Sequence, residues 1–341
     1  MHKTVCTLTI LATLLIGCTA YAANQDVVQL ANGDRITGRI RGLERGRLAI
    51  SNPATGRVEI RWGEVATITS EQRFVFDLRS GKRYYGTVGS SSAGHLELST
   101  DSGPITVDKE DVVRISPIAA GFRQRTTGSV GFGFSLTSPP DVTSNYELNG
   151  QLANRTRNYE TTVSIDSLFD RNQGSTVQSR NFGDLNVKRL LPQRWFALGL
   201  FQVEQDKFLS VDIRFAPGLG LGRTLVQNGQ TKLAVYGGFN YNGERFSNPS
   251  TTNNSAEAFP GIEWDWFPAG QSANMDLETT ATTFISLQRA RVRLELDSEL
   301  RDYVFRRFFW GLEVFESYDS DPGGTRNHSD FGAEINVGWR F

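Results

Sequence analysis

The stretch FGAEINVGWRF at residues 331–341 closes the sequence and decides the fold class. Apolar side chains occupy every second position, and mostly polar or glycine residues stand between them. Because successive side chains of a β-strand point to opposite faces, one face of this strand suits lipid and the other suits water. The first face carries Phe331, Ala333, Ile335, Val337, Trp339 and Phe341, and the second carries Gly332, Glu334, Asn336, Gly338 and Arg340.

The same alternation recurs throughout residues 127–341. We place about twelve segments of about ten residues there, the length at which a tilted strand crosses an outer membrane. Two further examples are VDIRF at residues 211–215 and VRLEL at residues 292–296. A soluble β-sandwich would turn the same apolar face onto a second sheet, and the periodicity alone does not separate these two folds.

Three features favour the membrane. The strand count is even, so both ends of the segment lie on one side. The connections alternate between short turns, near residues 154–155, 192–193 and 228–229, and long polar loops, at 242–255 and 318–330. One connection, near residues 288–289, is shorter than this rule predicts. Aromatic residues fall near strand ends, as in the aromatic girdles of membrane barrels. These residues are Tyr146, Tyr159, Trp195, Trp264, Trp266, Trp310 and Trp339.

The aromatic C-terminus resembles the signal by which assembly machinery recognises outer-membrane barrels. Its residues here are Ile335, Val337, Trp339 and Phe341. We therefore predict an all-β protein with a C-terminal antiparallel transmembrane β-barrel of about 12 strands at residues 127–341. The expected surroundings are outer-membrane lipid and the barrel assembly machinery of a Gram-negative envelope.

The first 22 residues have the pattern of an export signal. Lys3 is followed by an apolar run, and Ala20-Tyr21-Ala22 has the small-x-small form of a cleavage site. Residues 15–18 (LIGC) offer an alternative, a lipoprotein box in which Cys18 is acylated. Both cysteines, Cys6 and Cys18, lie in this segment, so ordinary cleavage leaves no thiol for disulfides, catalysis or metal binding.

A unit of about fifty residues occurs twice after the signal. Residues 33–38 (GDRITG) match 81–86 (GKRYYG), and 46–50 (GRLAI) match 94–98 (GHLEL), each 48 positions later. Short alternating segments and turn pairs such as Asn32-Gly33 predict two small SH3-like β-barrel modules, at residues 24–71 and 72–118. Residues 119–126 form a linker. A periplasmic protein or a component of the peptidoglycan layer is the partner we expect for the modules.

Nucleic acid is excluded as a partner. The formal net charge is -1, which gives no broad cationic field to attract phosphates. The arginines of the first module are interspersed with acidic residues, which indicates a solvated polar face.

The chain resembles the YdiY-like, salt-induced outer-membrane protein family at four motifs. They are NGDRITG at residues 32–38, DSDPGG at 319–324, SDF at 329–331 and the closing WRF at 339–341. The resemblance implies an outer-membrane location and this architecture. It implies no activity and no functional residue, because the family is one of unknown function.

Catalytic residues are not evident from the sequence. Histidine occurs only at positions 2, 95 and 328, so no paired-histidine metal site is present. His328 lies in a polar loop near Asp319, Asp321 and Asp330, where solvation is the expected role and catalysis or metal binding is the alternative. We predict no enzyme activity, no cofactor and no metal. Charged side chains on the polar strand faces are expected to line the lumen as a mutually neutralised set. The candidates are Asp212, Arg214, Arg293, Glu295, Glu334 and Arg340.

Three functions follow as hypotheses. The first is a non-enzymatic envelope protein whose periplasmic modules bind an envelope partner. The second is a narrow passive pore for ions or small solutes. The third is a barrel hydrolase that uses His328, or the carboxylates of Glu263, Asp265, Glu295 and Asp297, for acid–base chemistry.

Overall fold

The computed structural model describes residues 26–92, 94–118, 121–122, 125–137, 143–172, 175–207, 209–247, 250–268, 274–305, 307–322 and 328–340. The predicted signal peptide, parts of the predicted linker and Phe341 lie outside these residues. Within them, no helix is long and apolar enough to cross a membrane.

The first part of the chain forms what we call the N-terminal domain, residues 26–118. Short 3-10 turns at Trp62–Glu64 and Lys109–Asp111 occupy equivalent places in the two sequence repeats. The strands are β1 Asp26–Leu30, β2 Arg35–Glu44, β3 Arg47–Asn52, β4 Gly56–Arg61, β5 Val65–Leu78, β6 Arg83–Ser92, β7 His95–Thr100, β8 Gly103–Asp108 and β9 Val112–Pro117.

The sequence repeat is also a repeat of strand pairing. In each copy the first strand pairs with the last, and the hairpin between them has the same register, 48 residues apart. The equivalent pairs are Val28–Ile68 and Phe76–Ile115, and Ile40–Ile50 and Val88–Leu98.

The two copies are joined through one strand and one core. The expected boundary at residues 71–72 lies inside β5, which contributes to both copies. The sheet runs β4-β3-β2-β1-β5-β6-β7-β8, and β9 pairs with both β2 and β5. Strands β1, β2, β9 and β5 therefore close on each other as a small barrel. Its single apolar core draws on both copies, with Val28, Ile40, Phe74, Phe76 and Ile115 at most 2% exposed.

Both copies of the repeated motif end in a glycine, Gly38 in the first and Gly86 in the second, because a larger residue does not fit there. A Cβ on Gly38 would lie 2.5 Å from the backbone oxygen of Ser51, and a Cβ on Gly86 would meet Ser99 more closely still. Because a shift of the paired backbone would disrupt the sheet, only glycine fits at these positions, where β2 lies against β3 and β6 lies against β7.

The second part of the chain forms a closed antiparallel barrel of twelve strands, each paired with the next, with β21 pairing back to β10. The expected count is confirmed. The strands are β10 Thr126–Thr137, β11 Thr143–Arg155, β12 Tyr159–Asn172, β13 Ser175–Leu190, β14 Trp195–Asp206, β15 Val211–Gln227, β16 Thr231–Ser247, β17 Ser250–Trp266, β18 Met275–Ser286, β19 Val292–Phe305, β20 Phe308–Asp319 and β21 Ser329–Arg340.

The barrel places its apolar side chains outside. On β21, Phe331 and Ile335 are 64% and 68% exposed, whereas Asn336 between such positions is 1% exposed. Since β10 begins beside the N-terminal domain, we call that end of the barrel the near mouth and the opposite end the far mouth. Charged and polar side chains fill much of the space between the two mouths.

Aromatic residues on the outer wall gather toward the two mouths. Near-mouth strand ends carry Tyr159, Trp195, Trp264, Trp266, Trp310 and Trp339, while Tyr146 and Tyr318 lie toward the far mouth. Leucine, isoleucine and valine predominate between them.

One expected loop is wrong. Residues 242–255 were predicted as a long polar loop, but β16 runs to Ser247 and β17 starts at Ser250. Asn242 and Glu244 are 0% and 2% exposed, so their polarity belongs to the barrel interior. A strand whose inward-facing side chains are polar resembles a loop in composition. This is why a loop was predicted at residues 242–255.

Candidate functional site

A chamber of about 1700 Å³ extends from the contact between the N-terminal domain and the near mouth into the middle of the barrel, where Glu147, Asp166 and Glu313 line it. The barrel contributes fourteen carboxylate residues and seven lysines or arginines to its lining, whereas the N-terminal domain contributes five arginines and two glutamates. The two surfaces thus have opposite charge, which favours their association.

Arg45 makes the central contact between the two parts. It lies at the tip of the β2–β3 hairpin, with a φ of 53° in the left-handed region. Its guanidinium forms ion pairs with Asp276 and Glu278 of β18 and lies 4.8 Å from the centre of the Phe267 ring. Burial alone would lower the pKa of Arg45, but the neighbouring carboxylates hold it above its ordinary value.

A second contact is a chain of ion pairs beside Arg45. Arg114 of β9 lies 2.7 Å from both Glu44 of the same domain and Glu160 of the barrel. Arg155 of the barrel pairs with Glu160 and lies 2.6 Å from Asp77 of β5. Burial would raise the pKa of Glu44, but Arg114 and Arg45 lower it to about 2.

A third contact involves the second sequence repeat. The Arg157 guanidinium lies 3.8 Å from the centre of the Tyr85 ring. Arg83 donates hydrogen bonds to the backbone oxygens of Arg157 and Leu191, at 3.0 and 3.3 Å. Both repeats therefore hold the domain against the near mouth.

Toward the far mouth the barrel interior is filled by a buried ion-pair network. Arg214 pairs with Glu204 and Glu244, and Arg291 pairs with Glu244 and Asp319. These five side chains are each at most 5% exposed. Two arginines and three carboxylates, on β14, β15, β16 and β20 and at Arg291 directly before β19, are thus bound together inside the wall.

The middle of the barrel differs, because carboxylates meet there. Glu147 of β11, Asp166 of β12 and Glu313 of β20 each offer an oxygen within 4.8 Å of the other two. We call these three residues the carboxylate triad.

The predicted lumen charges occupy different places. Arg214 and Arg293 are buried inside the barrel, and Arg293 pairs with Glu257 at 2.7 Å and with Glu295 at 3.3 Å. Glu295, Glu334 and Arg340 line the chamber.

Asp212 lies elsewhere. It is at the start of β15, half exposed, and pairs with Arg245 at 2.6 Å. The register of β15 against β16 is irregular between Val211 and Ile213, so strict alternation does not describe the direction of this side chain.

The proposed assembly-signal residues that the structure describes face outward. Ile335, Val337 and Trp339 are 68%, 45% and 51% exposed on the outer wall of β21. Phe341 lies outside the described residues.

Three of the residues considered for hydrolysis, His328, Glu263 and Asp265, have structural partners, and so does His95. Nε2 of His95 lies 3.1 Å from Asp108 on the surface, and Nδ1 of His328 lies 2.9 Å from the backbone oxygen of Asp319. Glu263 pairs with Lys188, and Asp265 lies 3.6 Å from Lys232.

Sequence reasoning missed the Arg45 contact and the carboxylate triad. Arg45 and Asp276 are 231 residues apart, and nothing in the repeat motif distinguishes Arg45 from its neighbours. The alternation of side chains along β11, β12 and β20 could have predicted that Glu147, Asp166 and Glu313 face the barrel interior. It does not give the stagger of the strands, which decides which inward residues meet.

Comparisons with known proteins point to one family. Residues 130–341 match the family described as "Protein of unknown function, DUF481". No curated protein matches the chain in sequence. The fold is similar to a NanC porin (TM-score 0.37, 11% identity, 63% of this chain and 98% of that chain). It is also similar to the translocator domain of the autotransporter NalP from Neisseria meningitidis (0.35, 13%, 63% and 87%) and to a Pseudomonas aeruginosa FadL homologue (0.26, 8%, 93% and 86%). Because the family match spans more than half of the sequence, the chain belongs to the DUF481 family.

Proposed function

We propose that this chain is a non-enzymatic, integral protein of the bacterial outer membrane, with its N-terminal domain in the periplasm at the near mouth. The observation that carries the proposal is the outer wall of the barrel. It exposes an apolar band bounded by aromatic residues, while charges are buried inside. Such a wall is stable against acyl chains and would aggregate in water.

The orientation follows from the order of the chain. The N-terminal domain is a folded unit with its own apolar core, and it precedes the first barrel strand. A barrel that inserts from the periplasm leaves such a domain behind, because the domain is too large and too charged to cross the bilayer.

The N-terminal domain is the part we propose to bind an envelope partner, a periplasmic protein or a component of the peptidoglycan layer. Strand β8, Gly103–Asp108, ends the nine-stranded sheet. None of the three contacts with the barrel given above involves a residue of β8, so these contacts leave its edge free. An edge strand offers backbone groups to an extended partner segment.

Deleting residues 26–118 tests this proposal. We expect the remaining barrel to insert and to lose the envelope components that co-purify with the full chain. Arg45→Ala serves as a control, because it weakens docking on the barrel and leaves β8 in place. Unchanged co-purification after the deletion would refute the proposal of a partner, and recovery of the full chain with soluble periplasmic contents would refute the membrane location.

A narrow pore is the second candidate, and the charge of the chamber favours it. The excess of carboxylates over basic groups on the barrel lining would attract cations. The N-terminal domain covers the near mouth, and the ion-pair network narrows the far mouth. We expect small, cation-preferring current steps from the full chain in a planar bilayer and larger steps from the deletion variant. Silence from both variants would rule out a pore.

We also propose that the chain belongs to the YdiY-like, salt-induced group, on the strength of the NGDRITG, DSDPGG, SDF and WRF motifs. The expected result is a rise in its abundance when cells grow in added NaCl. Equal abundance across salt concentrations would contradict this assignment.

A further inference from the structure

The outer wall of the barrel has a basic patch in one sector of the near mouth. Arg189 of β13 stands directly opposite Tyr159 of β12 in the sheet register. Arg223 of β15 stands directly opposite Trp195 of β14. All four side chains are exposed on the outward face of four consecutive strands. We call these two arginines and two aromatic residues the rim patch. The backbones of the two arginines are roughly 12 Å apart, within the combined reach of their side chains.

The other tryptophans of the near mouth have different neighbours. No lysine or arginine stands directly opposite any of them in the described register of the adjacent strands. These residues are Trp264, Trp266, Trp310 and Trp339. The direct pairing of an arginine with an aromatic ring therefore distinguishes the sector formed by β12–β15 from the rest of the aromatic band.

The charges of the rim patch are available to an outside ligand. Neither Arg189 nor Arg223 forms an ion pair with any carboxylate that the structure describes, whereas Arg214 and Arg291 inside the barrel each pair with more than one. The guanidinium of Arg223 lies 5.6 Å from the centre of the Trp195 ring. An arginine beside an aromatic face keeps N–H donors for an anion. The patch thus presents donors at the level where aromatic rings mark a membrane surface.

The basic surface continues from the rim patch onto the N-terminal domain. Arg194 directly precedes Trp195, and its Nη1 donates a hydrogen bond to the backbone oxygen of Leu225 at 2.8 Å. The β5–β6 turn of the domain packs on this residue, since an added Cβ on Gly81 would lie 3.0 Å from the backbone nitrogen of Arg194. Lys82, the next residue of the turn, is exposed. The domain therefore adds positive charge to the same sector.

The wall beyond the arginines, toward the middle of the barrel, is apolar. On the outward face of β15, Leu221 and Leu219 follow Arg223 and are 58% and 76% exposed. On β13, Leu185 lies four residues from Arg189 and is 37% exposed. Free phosphate would use only the charged rim. A ligand with a charged head and acyl chains matches both the rim and the wall.

We propose that the rim patch binds the headgroup of an anionic phospholipid in the membrane leaflet next to the N-terminal domain. The proposal rests on the membrane location proposed above. Arg189 and Arg223 contact the lipid phosphate, and the acyl chains lie along the leucines of β13 and β15. Choline and ethanolamine headgroups carry their own cation, which the arginines repel. A headgroup with net negative charge, as in phosphatidylglycerol, therefore fits the patch better.

Native mass spectrometry of the full chain in an uncharged detergent tests the proposal, with dioleoylphosphatidylglycerol and dioleoylphosphatidylcholine as the two probes. We expect the first lipid to bind at least about tenfold more tightly, because each basic residue at a lipid surface attracts negative charge. The double variant Arg189→Gln, Arg223→Gln should lose this preference. The double variant Arg245→Gln, Arg307→Gln changes the net charge equally outside the rim patch and should retain the preference.

Equal affinity for the two lipids, or the same loss in both double variants, would overturn the proposal. Flotation of refolded protein with phosphatidylcholine vesicles tests the membrane location separately, because insertion needs no anionic lipid. Protein that floats and shows no lipid preference refutes the rim patch alone, and protein that does not float refutes the membrane location as well.

If the double variant at the rim patch does not fold, competition on the unaltered chain decides. Sodium phosphate should leave phosphatidylglycerol bound when the ionic strength is matched with NaCl. Displacement of the lipid by phosphate would show a site for free anions and refute a lipid site.

Discussion

The N-terminal domain and the barrel use the same alternation of side chains and bury opposite faces. In the domain, Phe74 and Phe76 are fully buried in an apolar core. In the barrel, Phe331 and Ile335 are exposed, and Arg214 and Arg291 are buried. An alternation of apolar and polar residues with a period of two therefore shows which side chains share a face of the strand. It does not show which of the two faces is buried.

The difference follows from the surroundings of each part. The small sheet has water outside, so burying apolar surface stabilises it. The barrel has a lumen wide enough for charged side chains and, as we propose, acyl chains outside. A charge inside the barrel then needs a partner, and the buried ion-pair network toward the far mouth supplies partners for Arg214 and Arg291.

The largest expected effect is in the apolar core. Phe76→Ala removes a ring that lies 5.9 Å from that of Phe74 and should destabilise the N-terminal domain by about 3–5 kcal/mol. Hydrogen exchange read by mass spectrometry should show faster exchange in residues 26–118 and unchanged exchange in the barrel. Equal loss of protection in both parts would mean that they unfold as one unit.

The barrel counterpart is the loss of a buried charge. Arg291→Met leaves Glu244 and Asp319 without one of their partners and should cost about 3–5 kcal/mol. Arg245→Met breaks the exposed pair with Asp212 and should cost about 0–1 kcal/mol. Urea unfolding of refolded protein in vesicles measures both variants. Equal destabilisation would show that burial does not govern these pairs.

A charge on the outer wall tests which solvent the barrel meets. Leu219 is 76% exposed at the middle of β15, and Leu225 is 43% exposed near the end of the same strand. In a bilayer, Leu219→Arg should cost about 2–4 kcal/mol, and Leu225→Arg about 0–1 kcal/mol. Urea unfolding in vesicles again provides the measurement. A barrel surrounded by water would tolerate both substitutions equally.

The smallest effect is on the charges that face the chamber. Because the pKa of Glu44 is about 2 against an ordinary 4.5, its ionised form stabilises the docked domain at and above pH 4.5. This contribution should fall as the pH drops from 4.5 toward 2. The contribution of Glu44 to the free energy of unfolding is small, since its side chain is 43% exposed. The difference in unfolding free energy between the unaltered chain and Glu44→Gln should shrink over this range, and a constant difference would refute the shift.

Much of the fold follows from local pattern. Alternation on β21 and on segments such as 211–215 predicted strands, and counting them gave the twelve of the barrel. The repeat at 33–38 and 81–86 predicted equivalent hairpins, because similar patterns of glycine and strand-forming residues favour similar local pairings. The same method failed at 242–255, where buried polar residues have the composition of a loop.

Local sequence pattern predicted less about the candidate sites than about the fold. Arg214 and Arg293 were expected inside the barrel from alternation alone, and they lie there. Asp212 was expected with them, but an irregular register at its strand end places it on the rim. Neither the chamber nor the contact of Arg45 with Asp276 has a local signature.

By itself the sequence determined the all-β architecture, the duplication, and the two faces of each strand, because these depend on neighbours within a few positions. Tertiary structure alone decided that the repeats share β5 and that Arg45 enters the near mouth. It also decided that Glu147, Asp166 and Glu313 converge. These features depend on the stagger of strands around a closed cylinder and on the docking of one surface against another, and side chains distant in sequence meet only when the chain has closed.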